Sequence, residues 1–532
     1  MGKSGLCVLG TSLFMIAACS DDEVRPPPAV VIDAGPDAPP GAVDCEVAII
    51  GGGVGGLHTA FRLGPTLGAK VCLFEKEAYL GGRIKDLALD ATMPNAPGAT
   101  PLIGTGARRV MEGQDVLLDL ADELDLTLQT PAVPGDLINA RGGFALGKDA
   151  LAPRYAGLSL DPDGNDHESY LYDRLRFGPE RANIGSYPDF RSYVRSAAGP
   201  EEYDFLRDMS RFRADFEYPL DARGYLDYLD EEWDVCCTPS YPVGGMSAFI
   251  RGMEAKAVAD GVRIYKSEPV SRIAREGNDY RVVSAGRSIT AAKIVIAVPP
   301  VAFPHLSGDI VDEIAAKPQF KDLIGVKVAT ITQWWPTNWW ATIAQTGAPA
   351  NTIWRGWTTE HCINFIEIPT DPYGVAQKVT RSVYDDDAAC VAFWEETAAR
   401  GTAAVEAEIK RGLQRLFNGN GVTSPAMVNI PNPLKTHVEI WPAGWYWLRA
   451  GSSFTNGNIF DWAIEPLAGE DVALVGEAYH PRRSGWSDAA YKSSINLLNE
   501  KYGMTLPGLA RRPDGQALRS RRGRGGRSLG GH

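Results

Sequence analysis

The chain has 532 residues, 44% of them hydrophobic and 22% charged, a globular composition long enough for about two or three domains with a large buried core. Its formal net charge is −13, yet residues 1–19 carry only Lys3 and residues 509–532 carry seven arginines against Asp514. The body between the ends is therefore more acidic than the whole, which argues against nucleic acid as a partner.

The chain opens "MGKSGLCVLGTSLFMIAACSDDE": one lysine, then an apolar run of signal-peptide length that is too short for an ordinary membrane-spanning helix. The run ends in "IAAC", Ile16 to Cys19, which resembles the lipobox of bacterial lipoproteins. That resemblance implies cleavage before Cys19 and lipid on its side chain, hence anchoring in a bacterial cell envelope. An ordinary signal peptide, with secretion, is the alternative. Residues 20–43 are rich in Pro, Asp and Ala, bury too little apolar surface to fold and read as an extended tether. No later stretch is apolar enough to cross a membrane.

Val47–Ile50 reads as a buried parallel strand. Gly51, Gly53 and Gly56 follow it in the spacing G-x-G-x-x-G, and a helix is expected from about Val54 to Leu63. The first glycine allows the tight turn, the second a close approach to a pyrophosphate, and the third the packing of helix on strand. The helix presents its first amides to the phosphates. A second apolar strand, "KVCLFE", ends in Glu75, 19 residues beyond Gly56, where a carboxylate accepts hydrogen bonds from ribose hydroxyls. These features suit NAD and FAD equally.

The next glycine pair separates the two. Gly81, Gly82 and Arg83 complete "EKEAYLGGR", which resembles the E-x-x-x-x-x-G-G-R signature of flavin-containing amine oxidases. Arg83 would meet a phosphate bidentately. Near the other end, "VGEAYHPRRSGWSDAA" resembles the C-terminal FAD motif of the same family, F-A-G-E … G-W-x-x-x-A. The resemblance implies that Gly476 and Glu477 contact the pyrophosphate and ribityl chain, and Gly485 and Trp486 the flavin ring. The stretch from Gly261 to Val283 resembles the family's inner strand, with Val270 on the adenine side.

The implied fold is α/β: a discontinuous, Rossmann-like FAD-binding domain of the GR2 type, with an inserted α+β substrate domain. Residues 44–110, 238–300 and 462–508 are assigned to the first, residues 111–237 and 301–461 to the second, and residues 509–532 to a disordered basic tail. The resemblance further implies FAD-dependent oxidation of the C–N bond of an L-amino acid or primary amine. Dioxygen would take the electrons and form hydrogen peroxide.

"LIGTGARRV" resembles the L-amino-acid oxidase segment L-G-P-M-R-L-P, which places Arg109 on the arginine that holds the substrate carboxylate. Arg108 or a phosphate role are the alternatives. Lys327, in "GVKVATITQWW", resembles the lysine that the family sets beside flavin N5, with a solvent-facing strand residue as the competing reading. "EIWPAGWYWLRAG" lies where the family places its flavin-facing strand, making Trp441, Trp445, Tyr446 and Trp447 candidates for the cavity wall. No cysteine occurs in this strand, so the FAD should be noncovalent. Trp334, Trp335, Trp339 and Trp340 read as packing.

Cysteine usage suggests no framework. Cys7 leaves with the signal, and Cys45 and Cys72 read as small core hydrophobes. Cys236, Cys237, Cys362 and Cys390 lack metal-site spacing, so no metal is expected. A disulfide is possible outside the cytoplasm, but its pairing is not readable, and neither is the oligomeric state. Two other readings compete: a superfamily desaturase or dehydrogenase acting on an apolar substrate, and a surface lipoprotein that keeps the flavin fold without turnover.

Overall fold

A computed structural model describes residues 43–507 apart from 100–101, 131–134, 163, 165, 236–238, 343–352, 369–377, 419–426, 453–455 and 481–484. The expected signal and its Cys19, the tether up to residue 42, Cys236, Cys237 and the basic tail lie outside the described residues. Among the described residues no helix is long and apolar enough to cross a membrane.

Cys45–Ile50 and Val71–Phe74 are short apolar runs of the kind that a parallel strand covered on both faces requires, and every residue of the second is buried. They pair in parallel with each other, and Arg263–Tyr265 and Ser288–Ile296 flank them, also in parallel. Ser288–Ile296 takes Val472–Leu474 in parallel and Asp279–Ser284 antiparallel on its other edge. Val270–Glu276 completes a seven-stranded sheet. Strand alternation divides its core: Val47 and Ile49 pack under helices Val54–Leu67, Ser247–Ala259 and Ser487–Tyr502, whereas Ala48 and Ile50 face the opposite way.

A second seven-stranded sheet is drawn from three other regions of the chain. Its order is Lys435–Leu448, Leu323–Trp334, Val379–Asp385, Phe365–Glu367, Ile353–Thr358, Gly135–Ala140 and Gly143–Leu146. Helices Ala388–Ala399 and Thr402–Phe417 cover one face, burying Ala329 and Ile331. Helices including His167–Phe177, Phe190–Ala197 and Pro200–Met209 share a core with Val326, Val328, Trp445 and Trp447 on the other.

The cysteines depart from expectation. Cys45 and Cys72, read as free core hydrophobes, form a disulfide, and so do Cys362 and Cys390. Each residue type was compatible with either state. What decides is the tertiary approach of their Cα atoms to 6.0 and 5.1 Å, within the range a disulfide bridges.

Candidate active site

The turn after the first strand is built on backbone freedom and one carboxylate. Gly51 sits at φ +108°, and a Cβ there would lie 2.7 Å from the Ala297 carbonyl oxygen. Gly52 N–H donates to Glu75 Oε2 at 2.7 Å, and Glu77 N–H donates to Oε1 at 2.9 Å. Burial raises the Glu75 pKa, and these two N–H groups oppose the rise. Each oxygen keeps acceptor capacity for a ligand hydroxyl. Gly53 caps helix Val54–Leu67 and bridges to Gly81, and a Cβ on Gly53 would meet only Gly82 Cα, at 4.0 Å. Gly56 is different: its added Cβ would fall 2.0 Å from Gly51 O. The turn is thus closed underneath and open along Gly53 and Gly82. Val270, half-buried, begins its strand two residues beyond Glu268, whose N–H donates to the Glu75 carbonyl at 2.8 Å.

Motifs distant in sequence meet at Glu477. Its buried carboxylate accepts from Arg83 Nη1 at 3.0 Å, from Tyr446 N–H at 3.2 Å and from Gly485 N–H at 3.1 Å. Arg83 Nη1 also donates to Gly444 O at 2.6 Å. Arg83 therefore ties the N-terminal glycine pair to the Lys435–Leu448 strand and to the C-terminal motif. Gly476 N–H donates to Ser493 Oγ at 3.1 Å, fixing that motif on helix Ser487–Tyr502.

A cavity of about 200 Å³ opens beside this cradle. Gly106, Ala107, Arg108 and Arg109 line it together with Gly485 and Trp486, and Trp445 and Trp447 form another part of the wall. The Gly106–Arg109 loop is positioned from below: Thr330 Oγ1 and Trp441 Nε1, on adjacent strands, donate to Thr105 O at 3.1 and 3.2 Å. Arg108 and Arg381 both pair with Glu367 Oε2, and Arg109 Nη1 lies 3.7 Å from Oε1. Glu367 is 1% exposed, so three guanidinium groups share one buried carboxylate. Burial lowers the pKa of Arg381, and Glu367 opposes the fall. The Arg109 guanidinium also stands over the Trp486 ring, 5.7 Å from its centroid. The remaining wall holds Tyr172, Asp215, Tyr225 and Tyr228. Burial pushes Asp215 up to about 7, against the Tyr225 hydrogen bond and the nearby Trp447 indole, which pull it down.

The model of the flavin containing amine oxidoreductase family matches residues 54–470. The chain belongs to that family. Its members' fold also returns among solved structures. Putrescine oxidase with putrescine bound superposes with a TM-score of 0.59 at 16% identity, covering 86% of this chain and 99% of that one. Cyclohexylamine oxidase from Brevibacterium oxydans IH-35A gives 0.59 at 17% identity, covering 85% and 99%. A search of curated proteins by sequence finds no match.

The cofactor of this amine oxidoreductase is FAD, and the cradle fits it. The open edge at Gly53 is what a pyrophosphate needs, the Glu75 carboxylate is set for a ribose, and Gly485 has no atom within 4 Å of an added Cβ. Gly51, Gly53, Gly56, Glu75, Gly82, Arg83, Gly476, Glu477, Gly485 and Trp486 all lie along this cradle or its junction with the cavity.

Three expected residues do not line this cavity: Trp441 instead supports its floor by donating to Thr105 O, and Lys327 and Tyr446 face elsewhere. Lys327 is exposed and pairs with Glu395 at 2.8 Å. It shares the parity of Ala329 and Ile331, so the strand turns it to the side carrying helix Ala388–Ala399 and away from the cavity. Tyr446 does not line the cavity either. It alternates with Trp445 and Trp447, packs into the core of the first sheet, and accepts from Val301 N–H at 3.0 Å. Sequence reasoning missed Arg381, Glu367, Asp215 and Tyr225. Only tertiary contact joins them, and the one local signal was charge within otherwise buried segments.

Proposed function

We propose that the chain is an FAD-dependent oxidase whose amine substrate carries a carboxylate, an L-amino acid held by Arg109. The observation carrying this reading is the charge of the cavity wall, where Arg108, Arg109 and Arg381 face a single balancing Glu367. A guanidinium fork is the natural partner of a carboxylate, and Arg109 is the least tightly engaged of the three on Glu367. A purely apolar desaturase substrate would leave these charges unused.

The Gly51–Gly56 turn, Glu75, Arg83 and the Gly476–Trp486 motif would hold FAD, which would supply a hydride acceptor for the carbon bearing the amine, with dioxygen as the final oxidant, ending as hydrogen peroxide. The amine nitrogen gives up a proton to solvent, and the resulting imine hydrolyses to a 2-oxo acid and ammonia. The chain's own part is placement. Arg109 fixes the carboxylate, and Trp445 and Trp447 exclude water and confine the reacting carbon. No side chain is required as a nucleophile. We assign residues 44–110, 238–300 and 462–508 to cofactor binding and residues 111–237 and 301–461 to substrate binding.

The cell envelope is the proposed location, with lipid on Cys19 as the anchor. The "IAAC" motif and two disulfides support it, since disulfides persist in oxidising compartments. Labelling with a clickable fatty acid, lost in Cys19→Ser, is the direct test of the anchor. A peroxide-release screen of the amino acids, each beside the amine left when its carboxylate is removed, tests the reaction. Preference for the amines would replace this reading with a simple amine oxidase.

A further inference from the structure

One part of the cavity wall is not explained by holding a carboxylate. Asp215 stands on the short helix Ala214–Glu217, is 6% exposed and lines the cavity. Its Oδ2 accepts from Tyr225 Oη at 2.9 Å. The Trp447 indole also acts on this carboxylate, but neither its nitrogen nor Asp215 Oδ1 completes a well-formed hydrogen bond. Of the other cations lining the cavity, Lys148 pairs with Glu168, Arg108 and Arg381 pair with Glu367, and Arg211 stands over the Phe212 and Phe365 rings. Among the described residues, the groups that favour the ionised form of Asp215 are the Tyr225 hydroxyl and the Trp447 indole, neither of them a cation.

Two rings of an aromatic cluster, Tyr225 and Trp447, reach the carboxylate. Tyr225 and Tyr228 pack against Trp447 with centroids 5.3 and 4.8 Å away, both T-shaped, and against each other at 5.8 Å. A buried carboxylate without a cation is costly. Aromatic faces beside a carboxylate form a receptor for an ammonium group, which gains both a charge-assisted hydrogen bond and cation–π attraction.

The geometry points to Asp215, Tyr225, Tyr228 and Trp447 as a subsite for a second, cationic end of the substrate. Resting on the proposed carboxylate role of Arg109, this makes the substrate class a dibasic amino acid: an α-amino carboxylate whose side chain ends in an ammonium. Burial raises the Asp215 pKa and so favours its neutral form. Arrival of an ammonium favours the ionised form, so binding and deprotonation of Asp215 are linked.

The test compares isosteric pairs on the holoenzyme by anaerobic bleaching of the flavin. Lysine is set against 2-aminoheptanoate, and 1,5-diaminopentane against hexylamine. The subsite predicts a kcat/KM preference for the cationic member of at least about tenfold, the scale of a hydrogen bond to a charged group. In Asp215→Asn that preference falls to about one. Preference within the diamine pair, with neither amino acid reacting, would retain the subsite and reject the carboxylate reading. Amino acids reacting with no preference for lysine would reject the subsite alone. No bleaching by any of the four, or a preference that persists in Asp215→Asn, overturns the inference. The wild-type pairs decide even if Asp215→Asn fails to fold.

Discussion

Residues on one strand take opposite parts here because period-two alternation, not residue type, chooses the face. Lys327 is half-exposed, with Glu395 as its partner. Exposed pairs of this kind are worth little. Lys327→Met should therefore leave flavin content, flavin reduction and reoxidation unchanged, and a stopped-flow record with either half-reaction slowed would contradict its placement. Asp215 carries the opposite expectation. Its folded pKa of about 7 stands above the ordinary 3.8. The stability tied to its protonated form is whole below that ordinary value and lost as pH rises through about 7. Asp386 is also raised, by burial first and by Asp215 next, so it contributes with the same sign. Asn at 215 stays neutral, so Asp215→Asn should gain on wild type in melting temperature as pH rises from about 4 to about 7. A gap that does not change with pH would count against a buried, cation-free carboxylate. Sequence could place lysine, tyrosine and tryptophan on strands but not on faces. Both sheet faces are covered, so Val326, Val328, Ala329 and Ile331 give no polar alternation to read.

Turns were more legible than faces because their constraints are local and steric. The G-x-G-x-x-G spacing placed helix and strand correctly, although the helix runs on to Leu67 rather than stopping near Leu63. Its three glycines do different things. Gly56 is needed for folding, because an added Cβ would strike Gly51 O. Gly53 is needed only for ligand, because the protein leaves its Cβ position open. Gly53→Val should accordingly purify folded but without flavin absorbance, while Gly56→Val should fail to accumulate as folded protein. Flavin in Gly53→Val at the parent level would remove the pyrophosphate from this turn. The same element carries Glu75, whose position was foreseen. Its holding of the Gly52 and Glu77 amides was not, since sequence shows a ligand's acceptor more readily than a loop's anchor.

Across the whole molecule, connections far apart in sequence were the least legible. Glu477 collects Arg83, Tyr446 and Gly485, and Glu367 collects Arg108, Arg109 and Arg381. Family motifs marked some of these residues for a cofactor, yet nothing local announced that they hold one another. The disulfides belong to the same scale. Cys362 and Cys390, 28 residues apart, tie the region before Phe365–Glu367 to helix Ala388–Ala399. Loss of that bridge in Cys390→Ser should lower stability by about 3 kcal/mol, read as a shift in the denaturant midpoint. An unchanged midpoint would mean that the bridge does not constrain the unfolded chain.

We propose that this flavin site oxidises an amine whose carboxylate Arg109 holds. This is tested most directly by comparing each amino acid with its decarboxylated counterpart, phenylalanine with phenethylamine and lysine with 1,5-diaminopentane, on wild type and on Arg109→Ala. Arg108 and Arg381 still balance Glu367 in that variant, so the flavin should remain bound. Removing one partner of a buried, charge-assisted pair costs about 2–5 kcal/mol. Wild type should prefer the amino acid, and Arg109→Ala should lose roughly 30-fold or more of kcat/KM for it while changing little towards the amine. A wild type that prefers the amine, or an Arg109→Ala that handles amino acids as before, would contradict the account.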